Sequence, residues 1–333
     1  MLSRPRRNRK TSSIRRLISE NKVTADDLIM PLFLLEGIGI EEKIPSLPVA
    51  YRRTLDTMLQ EIASCVELGI HAFILFPKVS SNKKDKIGSY AYDPDNFYLK
   101  AATTIKEHFQ DITLISDVAL DPYNSDGHDG IVENGLIVND KTVEALAKMA
   151  VAQARAGFDI IGPSDMMDGR VEAIRFAMDD AGFQDTSIMS YTAKYASGFY
   201  GPFRDALGSD PVIDDNIPMD KKTYQMDPAN SIEALLEAEL DTMEGADFLM
   251  VKPAVHYLDV IALLKSESHL PIVAYHVSGE CAMLLAASEK GWLDYNTVMP
   301  EALLSIKRAG ADVIVTYFAK AFLELESGAR IIS

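Results

Sequence analysis

One alternation recurs along the chain: apolar residues at helical spacing, then a glycine, then a short run that is apolar throughout. Leu55, Met58, Leu59, Ile62, Ala63 and Val66 fall on one helical face, Gly69 closes the helix, and Ala72 to Phe76 follows as a strand. Asp140 caps a predicted helix that runs to Ala156, with Gly157 and a strand from Asp159 to Ile161 behind it. Asn230, with Glu233 three residues on, caps a third helix, whose stripe of Ile232, Leu235, Leu236, Leu240 and Met243 is expected to be buried. Gly245 and the strand Phe248 to Val251 follow. The unit returns at Leu303 to Gly310, with a strand from Val313 to Thr316. Further strands are expected at Leu28 to Leu34, Thr113 to Asp117, Ser187 to Tyr191 and Pro271 to Tyr275.

About eight strands alternating with helices is the pattern of a (β/α)₈, or TIM, barrel. An open doubly wound sheet is the alternative, but no glycine-rich dinucleotide fingerprint follows the first strand. No Pro- or Ser-rich linker divides the chain, so residues 21–333 are expected to form a single domain. Ser80 to Asn96 is polar and loop-like. Gly198 to Gln225 is a long loop rich in Gly, Pro and Asp, and long ordered loops over a barrel mouth are usually lids.

Composition narrows the function. The 333 residues are 47% hydrophobic and 25% charged, as in a soluble globular protein. A net charge of −16 disfavours a general nucleic-acid binder, and no apolar run approaches the ~18 residues of a membrane span. Two cysteines, Cys65 and Cys281, supply neither a disulfide framework nor a thiolate zinc cluster, and a reducing, cytoplasmic setting is expected. The amino terminus departs from the acidic trend: Met1 to Ile18 carries Arg4, Arg6, Arg7, Arg9, Lys10, Arg15 and Arg16 and no acidic residue. That composition reads equally as a transit peptide or as a basic arm lying on an acidic neighbouring subunit.

A barrel gathers its chemistry at the carboxyl ends of its strands. Asp117, Asp121 and Asp129 follow the third strand, Pro163-Ser-Asp-Met-Met-Asp-Gly-Arg170 the fourth, and Tyr191-Thr-Ala-Lys194 the fifth. Lys252 ends the sixth, Ser278 follows the seventh, and Thr316-Tyr317 ends the eighth. A lysine at the end of a buried strand is costly unless its amine has a task, such as attacking a ketone to form a Schiff base; the bland reading is a stem that snorkels to solvent. Neighbouring strands lie about 4.8 Å apart, so the amines of Lys194 and Lys252 can approach. Two unit charges ~4 Å apart repel by about 4 kcal/mol at an effective dielectric of ~20. At ~1.4 kcal/mol per tenfold, that lowers one amine's pKa by about three from ~10.4. The aspartates read either as ligands of a hard cation and proton carriers, or as turn formers in Asp121-Pro-Tyr-Asn-Ser-Asp-Gly127; for Asp126 the turn reading is preferred. His128 is expected to be a hydrogen-bonding loop residue rather than a metal ligand, and Cys65 to be inert core.

Arg4-Pro-Arg-Arg7, Ser164-Asp-Met-Met-Asp-Gly-Arg170, Lys194-Tyr-Ala-Ser, Tyr200-Gly-Pro-Phe-Arg-Asp205, Tyr224-Gln-Met-Asp-Pro228, Met250-Val-Lys-Pro253, Val277-Ser-Gly-Glu280 and Thr316-Tyr-Phe-Ala-Lys320 together resemble the porphobilinogen synthase (5-aminolevulinate dehydratase) family, over nearly the whole chain. The resemblance implies condensation of two 5-aminolevulinate molecules to porphobilinogen with loss of two waters, each held as a Schiff base. Lys252 would hold the molecule that supplies the propionate side, with Ser278 and Tyr317 on its carboxylate. Lys194 would hold the second, with Arg204, Lys221 and Gln225 from the lid on its carboxylate, and Phe203 and Tyr275 would shape the pocket. Zinc-dependent members carry three cysteines where this chain has Ala119, Asp121 and Asp129, so no catalytic zinc is expected. The aspartate site is instead of the type that binds Mg²⁺ or K⁺ weakly or acts without a metal. Glu237 matches the family's distal Mg²⁺ site, with Asp165 in the shell behind the ion's waters; without the resemblance, Glu237 reads as a solvated helix face. Residues 1–20 resemble the arm that embraces a neighbour in an octamer, with no leader ahead of it. Ala254, Asp126 and the loop Gly88-Ser-Tyr-Ala-Tyr92 depart from the usual family pattern without removing a catalytic group. A class I aldolase, which needs one Schiff-base lysine, and a non-catalytic barrel acting as a binding protein are the rival readings.

Overall fold

Eight parallel strands close into a barrel: β1 Leu28–Leu35, β2 Ala72–Lys78, β3 Thr113–Ile115, β4 Ile160–Ile161, β5 Ser187–Lys194, β6 Phe248–Lys252, β7 Ile272–His276 and β8 Val313–Thr316. Each pairs with the next in sequence, and β8 closes on β1 through Leu28 opposite Ile314 and Ile29 opposite Val315. The predicted strands are all present. Their apolar runs are buried along nearly their whole length, as a sheet covered on both faces requires. The computed structural model describes residues 1–209, 211–214 and 216–328. Asp210 and Asp215 of the expected lid, and 329–333 of the expected barrel domain, lie outside the described residues.

Eleven helices accompany the strands among the described residues: α1 Ser12–Leu17, α2 Leu55–Glu67, α3 Phe97–His108, α4 Asn139–Ala156, α5 Arg170–Asp180, α6 Gly201–Leu207, α7 Glu233–Met243, α8 Leu258–Glu267, α9 Ser278–Glu289, α10 Tyr295–Ala309 and α11 Ala319–Glu326. Gly157 ends α4 at a positive φ of 100°, a conformation glycine adopts without a Cβ clash. Asp140 lies in the first turn of α4 rather than at its cap, which is Val138.

The third helix is where the sequence pattern misled. Asn230 does not cap α7; Ile232 stands at that position, and the Asn230 side chain bonds the Glu233 carboxylate instead. Most of the expected buried stripe faces outward, with Ile232, Leu236 and Met243 exposed by 70%, 56% and 70%, while Leu235 is half-buried against the core. The small residues Ala234 and Ala238 are buried instead, along with Asp241, which accepts from Arg170 Nη1 at 2.9 Å. Residues 1–20 are exposed except for partly buried Ile14, and form a short helical turn at Pro5–Arg9 and α1.

Part of the expected lid is helical. Its α6 drives Phe203 into the barrel mouth, where the ring sits 5.8 Å from Phe33 and 5.0 Å from Phe76. Buried Arg52 fastens the end of α6, with Nε donating to the Ala206 carbonyl at 2.7 Å and Nη2 to the Asp205 carbonyl at 2.6 Å.

Candidate active site

Lys194 and Lys252 are the last residues of β5 and β6, and they stand opposite each other in register. A bulge makes this possible. Ser190 pairs with Leu249 but Ala193 with Val251, so β5 spends one residue more than β6 over that stretch. Side chains alternate along a strand, so the extra residue lets both Tyr191 and Lys194 face the interior. Both lysines and Asp117, Asp121 and Asp129 line one narrow cleft, together with Ser164 and, from the expected lid, Tyr200, Phe203, Arg204, Ser209, Lys221 and Gln225.

The two amines are not equivalent, and repulsion between them is not the main cause of the difference. Lys194 Nζ donates to Asp129 Oδ2 at 3.0 Å and to the Ser164 carbonyl. Lys252 has no carboxylate partner among the described residues and sits in a cage of rings, 4.3 Å from the centroid of Tyr275, 4.9 Å from Phe203, 5.0 Å from Tyr191 and 5.3 Å from Tyr200. Burial in that cage, helped by the Lys194 charge, lowers the Lys252 pKa to about 7 against the opposing pull of the aspartates. Desolvation is thus the larger cause, and charge repulsion the smaller.

The aspartates divide by environment as well. Burial and the neighbouring Asp121 raise the Asp117 carboxyl to about 7, although Lys194 and Lys252 oppose them. Asp129 is just as buried, but Lys194 and Lys221 outweigh that burial and hold it well below the usual carboxylate range. Lys221 Nζ lies 2.5 Å from Asp129 Oδ1 and 3.5 Å from Asp121 Oδ2. Burial alone would lower its pKa, yet those two carboxylates raise it. The ammonium of Lys221 therefore lies between the Asp121 and Asp129 carboxylates and supplies positive charge to both.

Of the remaining expected site residues, Ser278 and Tyr317 lie on the Lys252 side. Ser278 Oγ accepts from the Phe203 amide at 3.0 Å, and the Tyr317 hydroxyl is 3.3 Å from that of Tyr275. Gln225 Oε1 is buried in the cleft with no partner among the described residues. The Tyr191 hydroxyl is likewise buried without one. Glu237 and Asp165 belong to a separate cluster around Arg170, which pairs with Asp241 at 2.9 Å. His128 hydrogen-bonds, but to the later 198–225 segment rather than within its own loop: to the Tyr224 hydroxyl at 3.0 Å and the Pro218 carbonyl at 2.8 Å. Cys65 and Cys281 are buried on α2 and α9, outside the residues lining the cleft, and burial pushes the Cys65 thiol up to about 12. Sequence reasoning assigned no role to Ser164, Tyr191, Tyr200 and Ser209. Tyr191 was the most accessible of these, three residues before Lys194, but only the bulge turns it inward.

The sequence model of the delta-aminolevulinic acid dehydratase family matches residues 2–325. The chain belongs to this family. It is 51% identical over 317 residues to the delta-aminolevulinic acid dehydratase of Halalkalibacterium halodurans, spanning 95% of this chain and 94% of the relative. The chloroplastic delta-aminolevulinic acid dehydratase of Oryza sativa subsp. japonica is 50% identical over 332 residues, covering 99% of this chain and 76% of the relative. Among solved structures, the Toxoplasma gondii ME49 dehydratase (porphobilinogen synthase), crystallised with its reaction product porphobilinogen, superposes with a TM-score of 0.95 at 49% identity, over 100% of this chain and 95% of that one. The family and its barrel are therefore as the motifs implied.

Proposed function

We propose that the chain is a porphobilinogen synthase, a lyase of porphyrin biosynthesis that joins two molecules of 5-aminolevulinate and releases porphobilinogen and two waters. The observation that carries the reading is the pair of lysines in register at one barrel rim, one amine caged by rings and the other salt-bridged. A class I aldolase needs only the first of these.

In this reading the Lys252 amine, unprotonated in an appreciable fraction near neutral pH, attacks the ketone of the first substrate and expels its oxygen as water. The Ser278 and Tyr317 hydroxyls receive that molecule's carboxylate. The second substrate binds with its carboxylate toward Arg204, Lys221 and the unpartnered Gln225, where charge-assisted bonds favour an anion. Lys194, on giving up its proton, forms an imine with this second molecule. Asp117, titrating near neutrality in the same cleft, is suited to accept and return protons. Holding both ketones on adjacent strand ends makes the condensation effectively intramolecular.

We assign no catalytic zinc, since Ala119, Asp121 and Asp129 supply no thiolate, and no step to a cation at the aspartates, where Lys221 already supplies the positive charge. A distal Mg²⁺ suits Glu237. Burial raises its carboxyl to about 7, and Asp241, Asp168 and Glu233 add to this while Arg170 opposes it. A cation would relieve that crowding. Among the described residues no group of three or more metal-ligating side chains converges there. That leaves a largely hydrated ion held by a single carboxylate, a mode Mg²⁺ favours. When bound, it would supply charge and order to the α5–α7 face rather than chemistry.

The basic, exposed residues 1–20 and the apolar outer face of α7 suit contacts between copies, and an octamer is the assembly we expect. No helix among the described residues is long and apolar enough to cross a membrane. We place the enzyme in the cytoplasm, a reducing compartment that suits its two free, buried cysteines. Lys194→Ala and Lys252→Ala should each abolish porphobilinogen formation from 5-aminolevulinate. Robust turnover by either variant would overturn the two-imine reading in favour of a single-lysine aldolase.

A further inference from the structure

Glu280 is 1% exposed and sits three residues into α9, with Oε2 accepting from the Val277 amide at 3.0 Å. A capping carboxylate of that kind would need no comment, but most of its bonds go elsewhere. Oε1 accepts from the Val255 amide at 2.8 Å and the His256 amide at 3.3 Å, and lies 3.1 Å from His256 Nδ1; Oε2 also receives the Ala254 amide at 3.4 Å. Those amides form the turn that begins two residues after Lys252. The same carboxylate thus holds the turn behind the caged lysine and the start of the helix that carries Ser278.

The root of the lid is drawn into the same junction. The His256 ring stacks on Phe199 at 4.2 Å, and the Phe199 carbonyl approaches Gly279 so closely that a Cβ there would stand 2.4 Å from it. Ser278 Oγ in turn holds the Phe203 amide. Lys194, at the end of β5, makes no contact with Glu280; its partners are Asp129 and Ser164.

We propose that Glu280 is a positioning residue for the imine at Lys252, fixing the spacing between the Lys252 amine and the Ser278 hydroxyl. This rests on the Schiff-base reading above. A keto acid held at both ends tolerates little error in that spacing, and a misplacement of about 1 Å can cost roughly a hundredfold in rate. Glutamine at this position keeps the size of the side chain but turns one acceptor into an NH₂ group facing amide donors, so the turn must loosen on one side. The proton affinity of Lys252 is set by burial and by Lys194, so that property should not change.

The test is borohydride trapping of 5-aminolevulinate on full-length enzyme and on Glu280→Gln, with each lysine quantified by peptide mass spectrometry. The proposal predicts that trapping at Lys252 slows tenfold or more, with an unchanged pH midpoint, while trapping at Lys194 stays within twofold. Equal losses at both lysines, or no loss at Lys252, would overturn it. Absence of any adduct on the unsubstituted enzyme would instead remove the Schiff-base reading itself. Should the variant not accumulate in folded form, amide hydrogen exchange on the unsubstituted enzyme decides the matter. Residues 255 and 256 should exchange as slowly as β6, and rapid exchange there refutes the positioning role.

Discussion

Replacing Lys252 with methionine should abolish activity and at the same time make the protein more stable. Methionine keeps the length and apolar body of the side chain and can lie against the same four rings. The structure holds the Lys252 pKa at about 7 against a reference of 10.5. At ~1.4 kcal/mol per tenfold, keeping this amine protonated inside the fold costs about 5 kcal/mol. The sign follows from linkage. Between pH 7 and pH 10.5 the unfolded chain binds a proton at this residue that the folded chain does not, so the wild-type protein gains stability as pH rises through that window. Below pH 7 both states are protonated and the full penalty applies. The gain from Lys252→Met should therefore be larger at pH 6 than at pH 9, by about 3 kcal/mol. For a chain of 333 residues that difference corresponds to about 4 °C in melting temperature. Wild type and variant would be melted in parallel at pH 6 and pH 9 at equal protomer concentration, so that titrations common to both cancel. A stabilisation that is the same at both pH values, or a destabilisation at pH 6, would refute the claim that burial suppresses this amine's charge.

The other expectations follow from the site's remaining charges. Asp129→Asn leaves Lys194 and Lys221 buried without their shared carboxylate and should destabilise the fold by about 3–5 kcal/mol, read by denaturant titration. Because Asp129 is held below its unfolded value, its contribution is present above the ordinary carboxylate range and is lost as pH falls through the folded pKa, so wild type and variant should converge in stability in acid. Zinc-selective chelation should leave activity largely intact, whereas inhibition reversed only by Zn²⁺ would contradict the assignment. Glu237→Gln should leave basal activity in EDTA near that of wild type but remove any stimulation by added Mg²⁺, measured as porphobilinogen formed.

The barrel was legible because each of its strands is a short apolar run with a glycine-ended helix before or a loop behind, and burial on both faces leaves no other use for such runs. Lys252 was legible for the same reason, as a charge at the end of one of them. The α7 face was misread because helical periodicity reports which residues share a side, not which side faces the barrel. The side that faces inward carries Ala234, Ala238 and Asp241, the last paired with buried Arg170. The unequal state of the two amines was hidden because it depends on Asp129, some 65 residues before Lys194, and on rings contributed by β5, β7 and α6. Tyr191 was hidden by a single-residue bulge, which no alternation pattern announces.

The most direct test is the pH dependence of imine trapping at each lysine separately. With 5-aminolevulinate and borohydride, adduct at Lys252 should rise through a midpoint near pH 7, and adduct at Lys194 should require the second substrate molecule to be bound. A Lys252 midpoint near 10, or identical profiles at the two lysines, would contradict the unequal pair on which this account of the reaction stands.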